Sequence, residues 1–574
     1  MVTAYRVDEV LPALRHVQRA CREGQYAAGF VAYEAAPAFD PVLVTRPAQG
    51  SLPLVWFGLF RHPVLSASGP LPDSRSGTAS QDANEPGMAP ELRWEPNLSQ
   101  ADYNAAIRTI RDAIADGETY QVNYTFRMKA KSLNSAWDWF RTCLDSPAPP
   151  YAACLELGHF GIASLSPELF FRFDGNRVET RPMKGTYPRG RTNAEDEAHI
   201  QALRKSEKNR AENVMIVDLL RNDLGRIAKA GTVQVDSLFD VEVYPTALQM
   251  TSTVSAQVRP GVSWFDILAA LFPCGSVTGA PKAQTMAHIT QLETEPRGVY
   301  CGTMGYITPG GQAIFNVAIR TLVVDYEHDV AVYGTGGGIT WDSGAEEEYQ
   351  EALLKTEAVL RPRPPFQLLE TLRLVDGRFH LLAEHMERLL DSAHYFRFRL
   401  DARRVQERLQ EVAATHPTGS WRVRLLADRE GRLTTEATPL SLIPEGEAQP
   451  VRWAKSPVDS HNPFLFHKTT LRTVYDHHRR EAGDVFDVLL WNEREEATEF
   501  TIGNLVAEIR GHLYTPPCSC GLLDGTLRRW LIRQGRILER SLSKVDVERA
   551  ERLWLVNSVR GFVPVKLRPG KAPS

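Results

Sequence analysis

Residues 361–365 read RPRPP. Three prolines in five positions remove backbone donors and forbid a continuing helix, so the chain crosses this point as an extended connector. A 574-residue chain exceeds the size at which one core stops growing, and the principal domain boundary is expected here, between 1–360 and 366–574. A second break is expected at 65–92, which is rich in Ser, Pro, Gly and Asp and poor in bulky apolar residues. It marks off an N-terminal lobe, 1–92 with the loop included, from a body spanning 93–360.

Composition narrows the function classes. Lys and Arg total 66 against 70 Asp and Glu, with no long basic tract, which argues against a nucleic-acid partner. No stretch reaches the roughly 20 apolar residues of a membrane span. The first residues read as a strand and an amphipathic helix rather than a signal peptide or anchor. Seven scattered cysteines without a CxxC pair fit reduced thiols and a cytoplasmic location. The body mixes element types: 102–123 has helical spacing up to Gly117, whereas FGIASLSPELFFRF (160–173) predicts two short strands meeting at a turn. No internal repeat is present.

Four segments before residue 360 carry chemistry. RPMKGTYPRG (181–190) presents Lys184 in a bend-prone stretch, as a surface charge, an anion clamp or a nucleophile. SEKNRAENVMIVDLLRNDLGRIA (206–228) predicts a helix buried along much of its length, with Glu212 just before its apolar run. Glu212 equally suits a carboxylate complementing the helix dipole. GTGGGITWDSGAEEEYQEALLKTEAVL (334–360) predicts a glycine-rich turn, a short strand and a helix whose Glu348 and Glu351 share a face, with Lys355 one turn on. That spacing serves a solvated helix pair, or a Mg2+ site in which Lys355 and the backbone amides of Gly336, Gly337 and Gly338 hold an anion. LFPCGSVTGAPKAQTMAHI (271–289) enters a helix through Thr278, Gly279, Ala280 and Pro281, an arrangement that leaves amides for an anion.

Together with SPELF (Glu168), VYCGTMGY (Tyr300) and VAIRTL (Arg320), these segments resemble the chorismate-utilising enzymes over roughly 100–360. That group contains anthranilate synthase, aminodeoxychorismate synthase component I, isochorismate synthase and salicylate synthase. The resemblance implies an α+β fold of two large antiparallel sheets flanked by helices. It implies Mg2+ held by Glu212 and Glu351 with Glu348 in support. Arg320, Tyr300, Lys355 and the glycines would bind the enolpyruvyl carboxylate of chorismate, with Thr278 and Gly279 also at the substrate. Lysine at 184, where anthranilate-forming relatives carry alanine, is similar to the aminodeoxychorismate synthases. In them the lysine attacks C2 and the C4 hydroxyl leaves, Glu168 protonates that hydroxyl, and ammonia at C4 then displaces the lysine. Two positions depart from relatives: Gln249 stands where several have histidine, and Asn209 where some have a carboxylate. No glutaminase nucleophile context is found, so ammonia is expected from solution or from a separate glutamine amidotransferase subunit.

After the connector, NPFLFHKTT predicts an aromatic strand-like run ending near Lys468, followed by a helix. A recessed lysine suits a Schiff base, though surface lysines are commoner. Glu499 is expected at the end of a turn and Asn504 in the next strand, and a helix opening at Gly525 and Thr526 suits a phosphate. With LLAEHMERLLDSAHYF (381–396), the segment resembles the fold-type IV pyridoxal phosphate enzymes, which include branched-chain and D-amino acid aminotransferases and aminodeoxychorismate lyase. The resemblance implies a second α+β domain over 366–574. In it Lys468 bears pyridoxal 5'-phosphate, Glu499 pairs with the pyridine nitrogen, Arg388 with Gly525 and Thr526 binds phosphate, and Asn557 lies near the substrate. The segment starts at PPFQLLETLR, so the usual N-terminal strand and YGDG-type loop are missing. The fusion implies a two-step route to 4-aminobenzoate, the folate precursor. The alternatives are a non-catalytic or aminotransferase-type C-terminal domain, anthranilate synthase-like activity, or a chorismate-sensing scaffold.

Overall fold

The computed structural model describes residues 1–48, 50–64, 93–131, 135–144, 148–360, 364–441 and 447–568. The loop expected at 65–92 lies outside the described residues, as does most of the connector at 361–365. The chain forms two compact units, residues 1–188 with 200–363, and residues 189–199 with 364–574. Among the described residues no helix is long and apolar enough to cross a membrane, and all seven cysteines are free thiols.

The first unit is built on two antiparallel sheets, of ten and seven strands. Helix Gln100–Ala115 shows how the sequence specifies its parts. Ser99 caps it by accepting from the Asp102 amide, Tyr103, Ala106, Ile107, Ile110 and Ala113 are buried at helical spacing, and Gly117 leaves it with φ +77. It packs on helix Ala345–Leu360, which in turn packs on strand Val330–Ile339.

Several local expectations need correction. The two strands in 160–173 form, as Phe160–Ser164 and Leu169–Phe173, but they join different sheets, so SPE is a crossing between sheets and not a hairpin turn. The glycine-rich turn is strand: Gly336, Gly337 and Gly338 lie within Val330–Ile339, in register with Thr125, Tyr124 and Asn123 of strand Gln121–Lys131. Helix Glu207–Gly225 buries one stripe (Asn213, Ile216, Val217, Leu220, Leu224) and exposes Val214, so it is not buried around its length. Glu212 falls in its second turn, which removes the dipole-cap reading.

The second unit contains a four-stranded antiparallel sheet, ordered Arg378–Phe379, Leu368–Val375, Ser420–Ala427, Leu433–Pro439, with helices Leu382–Phe396 and Ala402–Thr415. Beside it is an eight-stranded mixed sheet in which strand Ala497–Phe500 pairs with both Asp487–Trp491 and Gly503–Ile509, closing a ring. The aromatic run before Lys468 is a 3-10 turn, Pro463–Leu465, followed by a loop, because Pro463 and the Asn462 cap favour a turn over a ladder. Glu499 is a strand residue paired with Asn504, not a turn residue.

Candidate active sites

Lys184 lies on strand Met183–Pro188, whose neighbour Ala247–Gln257 supplies Gln249. The Gln249 amide donates to the Gly185 carbonyl (3.3 Å) and the Thr186 hydroxyl (3.1 Å), so it holds the turn that presents the lysine. Gly185 has φ +97, a conformation side chains resist, and Asn213 of the long helix donates to the Lys184 carbonyl. The lysine side chain is recessed. Burial pushes its pKa down and Lys355 pushes it further, against the pull of Glu212, Glu168 and Glu348. A less basic amine is a better nucleophile at neutral pH.

Glu168 is buried at the sheet crossing, with one carboxylate oxygen unpartnered among the described residues. Burial pushes it up to about 7, opposed by Ser276, Lys184 and the Met183 amide. A carboxyl near neutrality is matched to giving and taking a proton. The glycines clear this space. A methyl on Gly338 would stand 2.5 Å from Lys184 Nζ, and one on Gly337 would stand 3.0 Å from a Glu348 oxygen. Lys355 donates to Glu351 (2.8 Å) and to the Gly336 carbonyl (3.3 Å).

Glu348 accepts from Ser343 (2.8 Å), and burial together with the like charge of Glu351 raises its pKa. Burial would raise Glu351 as well, but Lys355, then Lys208 and Lys184, holds it below the ordinary value. Glu348 and Glu351, whose like charges repel, offer an oxygen donor pair that fits a hard divalent cation, while Glu212 is connected to this region through its pull on Lys184. Thr278 is fully buried and its hydroxyl donates to the Cys274 and Gly275 carbonyls, so it shapes the turn. Gly279 and Ala280 bridge to strand Gln121–Lys131 ahead of helix Lys282–Leu292. Tyr300 is buried against Gly334, where any side chain would collide with its ring. Arg320 adopts φ +51 and lies 5.7 Å over the Tyr244 ring.

In the second unit, burial and the nearby Arg388 push the recessed Lys468 down to about 8, against Glu370 and Glu499. Glu499 is buried and accepts from Tyr475 (2.8 Å), the Leu523 amide (3.1 Å) and Asn504 (3.3 Å). Burial nevertheless pushes it up to about 7. A buried carboxyl so placed fits a protonated ring nitrogen as its missing cation.

Arg388 is held by Glu370 through two hydrogen bonds (2.9 and 2.7 Å), and His385 donates to the same carboxylate. Thr526 and Ser558 hydroxyls meet the other His385 nitrogen. Gly525 caps helix Thr526–Arg533, and a methyl there would lie 1.9 Å from Asn504 Oδ1. A fixed guanidinium, two hydroxyls and a helix N-terminus suit a phosphate. Asn557 is otherwise occupied: its amide donates to the Ile502 carbonyl and accepts from Val559 and Arg560, so it builds a turn.

Sequence reasoning missed Gln121, which is fully buried with both amide atoms unpartnered among the described residues, in the Gly338 space beside Lys184. Its signal was a glutamine inside a strand buried on both faces. It also missed Tyr475, Glu370, His385 and Ser558. Glu370 is a carboxylate inside the apolar strand LLETLRLV, and His385 sits i, i+3 from Arg388.

Comparison with known proteins gives two matches along the chain. Residues 4–361 match the chorismate binding enzyme family, and residues 367–567 match amino-transferase class IV. Aminodeoxychorismate synthase component 1 of Escherichia coli (strain K12) is 39% identical over 268 residues, 47% of this chain and 59% of that protein. The aminodeoxychorismate synthase of Streptomyces griseus is 42% identical over 260 residues, 45% of this chain and 36% of that one. The crystal structure of anthranilate synthase component I from Streptococcus pneumoniae TIGR4 covers 59% of this chain and 81% of its own, at 29% identity and a TM-score of 0.50. The chain thus spans less than two thirds of the length of the two curated relatives.

Proposed function

The chain belongs to the chorismate binding enzyme family, and on that premise we propose that it makes 4-aminobenzoate in two steps. The first unit aminates chorismate to 4-amino-4-deoxychorismate. The second eliminates pyruvate from that product. The observation that carries this reading is the pair of recessed lysines, each beside a buried carboxyl raised to about 7, in one chain.

At the first site Glu212, Glu348 and Glu351 would hold Mg2+, which would supply positive charge for the ring carboxylate of chorismate. Lys184 Nζ forms a bond to C2, the ring double bonds shift, and the C4 hydroxyl departs as water with a proton from Glu168. Ammonia bonds to C4, the double bonds shift back, and Lys184 leaves as the amine, while Glu168 takes the proton lost by ammonia. Arg320, Tyr300 and Lys355 hold the enolpyruvyl carboxylate. Gln249 fixes the Lys184 turn without needing to transfer a proton, which disfavours the C2 deprotonation of anthranilate formation. Ammonia would come from solution or a glutamine amidotransferase partner.

At the second site Lys468, Glu499, Arg388, Gly525 and Thr526 would hold pyridoxal phosphate, which would supply an electron sink. Lys468 removes the C4 proton, the C3–O bond breaks to release enolpyruvate, which takes that proton back and becomes pyruvate, and the ring becomes aromatic. The test is product identity from chorismate, ammonium, Mg2+ and pyridoxal phosphate. 4-Aminobenzoate and pyruvate are expected, and anthranilate as the product would overturn the reading.

A further inference from the structure

Residues 189–199, RGRTNAEDEAH, follow directly on the strand that carries Lys184, yet they belong to the compact unit that carries Lys468. Inside that unit they are tied to two places, helix Leu382–Phe396, which bears Arg388, and the loop just before Lys468. The Arg189 guanidinium lies 4.3 Å over the Tyr395 ring, donates to the Tyr395 carbonyl (3.1 Å), and is held by Asp196 (2.8 and 3.0 Å). The Tyr395 hydroxyl donates to the Gly190 carbonyl (2.7 Å). The Asn193 amide donates to the Asp391 carbonyl and carboxylate (2.8 Å each).

The Tyr395 ring also stacks on His467, centroids 4.3 Å apart at 24°. The Tyr395 ring therefore links the Arg189 guanidinium to the residue preceding Lys468. His467 is hydrogen-bonded at both nitrogens. Its Nε2 faces the Arg191 carbonyl (3.1 Å), which can only accept, so Nε2 carries the proton and Nδ1 accepts from Ser392 (3.0 Å). Burial lowers its pKa to about 4, which keeps the ring neutral and this pattern intact. The second arginine, Arg191, lies 4.9 Å over Phe466 and donates to the Ser460 carbonyl (3.2 Å). Phe466 and His467 belong to no strand, and Lys468 is tied to the sheet by the Leu369 amide (3.0 Å) and the Thr469 bridge to Leu368.

We infer that Arg189 and Arg191 are positioning residues for Lys468, with segment 189–199 serving as a wall of the second site in place of the missing N-terminal strand. By stacking on Tyr395 and Phe466 they fix the two residues before the lysine, and so fix where its amine stands among Arg388, Glu370 and Glu499. The inference rests on the reading of Lys468 as the residue that bears pyridoxal phosphate.

The test uses the full chain with Arg189→Ala and Arg191→Ala combined, the Lys/Lys double variant, and Val405→Ala as a packing control from the core beside the four-stranded sheet. The readouts are the dissociation constant of pyridoxal phosphate and the pH midpoint of the bound cofactor's absorbance. The alanine pair should weaken binding roughly tenfold and shift the midpoint, as loss of two stacked cations implies. The lysine pair, which keeps charge but not the stacking plane, should fall between, and supplies the same readout if the alanine pair does not fold. Val405→Ala should lower thermal stability and leave both readouts alone. An unchanged midpoint and affinity in the arginine variants, or an equal shift in Val405→Ala, overturns the inference. A wild-type protein that never binds the cofactor overturns instead the reading of Lys468, and this inference with it.

Discussion

The two lysines share a cause and differ in company. Burial lowers both, but Lys184 stands among carboxylates, Glu212, Glu168 and Glu348, that pull it back up, with Lys355 the opposing cation. Lys468 stands between two arginines, Arg388 and Arg472, that drive it further down, with Glu370 and Glu499 opposing. An amine crowded by carboxylates keeps a use for an added cation, which would remove their pull and free the lysine to attack. An amine crowded by arginines is already poised at about 8 to bind a carbonyl covalently. On the proposed function, burial and different neighbours prepare the same residue type for two chemistries.

The sharpest way to break that comparison is to delete each amine. Lys184→Ala should reduce aminodeoxychorismate formation by about three orders of magnitude or more, while the protein still binds pyridoxal phosphate with unchanged absorbance. Lys468→Ala should leave chorismate consumption intact and let 4-amino-4-deoxychorismate accumulate. Chromatographic product analysis checks both. Supplied with 4-amino-4-deoxychorismate, Lys184→Ala should still release pyruvate at the wild-type rate, and loss of that release, or loss of chorismate consumption in Lys468→Ala, would show that the sites are not independent.

Much of this was legible because the motifs are local. Helix Gln100–Ala115 and the Glu348, Glu351, Lys355 face follow from spacing within one element. What failed depended on pairing that spacing within one element does not show. Gly336 to Gly338 read as a turn by propensity, but strand Gln121–Lys131 recruits them into a ladder, where a side chain would meet the Tyr124 carbonyl at Gly336, Glu348 at Gly337, and Gln121 and Lys184 at Gly338. Glu499 read as a turn residue until its pairing with Asn504 was seen. Nothing in RGRTNAEDEAH announced that it packs in the unit of Lys468.

Next in size comes the carboxyl that serves the first lysine. Glu168→Gln keeps the shape and removes the proton, and should cost roughly 10²–10³ in the turnover of chorismate with little change in KM. Glu499→Gln at the second site should instead lower the rate of pyruvate release and leave chorismate consumption alone. Separate pyruvate and chorismate assays distinguish the two.

Two glycines give a milder steric comparison. Gly338→Ala puts a methyl 2.5 Å from Lys184 Nζ and 2.2 Å from the Gln121 amide nitrogen, both ends of flexible side chains, so the first step should slow about 10- to 100-fold without unfolding. Gly525→Ala meets Asn504 Oδ1 at 1.9 Å, and Asn504 in turn holds Glu499, so the second step should slow while chorismate consumption is spared. Steady-state rates for each half reaction check this, and equal damage to both halves from either change would sink the assignment.

The smallest expected effect is on stability, where the two partners inside the second site should act in opposite pH windows in the cofactor-free protein. Glu499, raised from 4.5 to about 7, binds a proton in the folded state that the unfolded chain has lost. Its contribution is present in full below about 4.5 and disappears as the pH rises through about 7. Lys468, lowered from 10.5 to about 8, is neutral in the folded state where the unfolded chain still holds its proton. Stability therefore rises with pH between about 8 and about 10.5. Thermal unfolding against pH should show the first slope flattened in Glu499→Gln and the second flattened in Lys468→Met, each by a few degrees. Pyridoxal phosphate should suppress both slopes in the wild-type protein, because it occupies the lysine and gives the carboxylate its cation. Slopes that persist unchanged in either variant would place the titration elsewhere and remove the argument that these two groups are tuned by burial against one another.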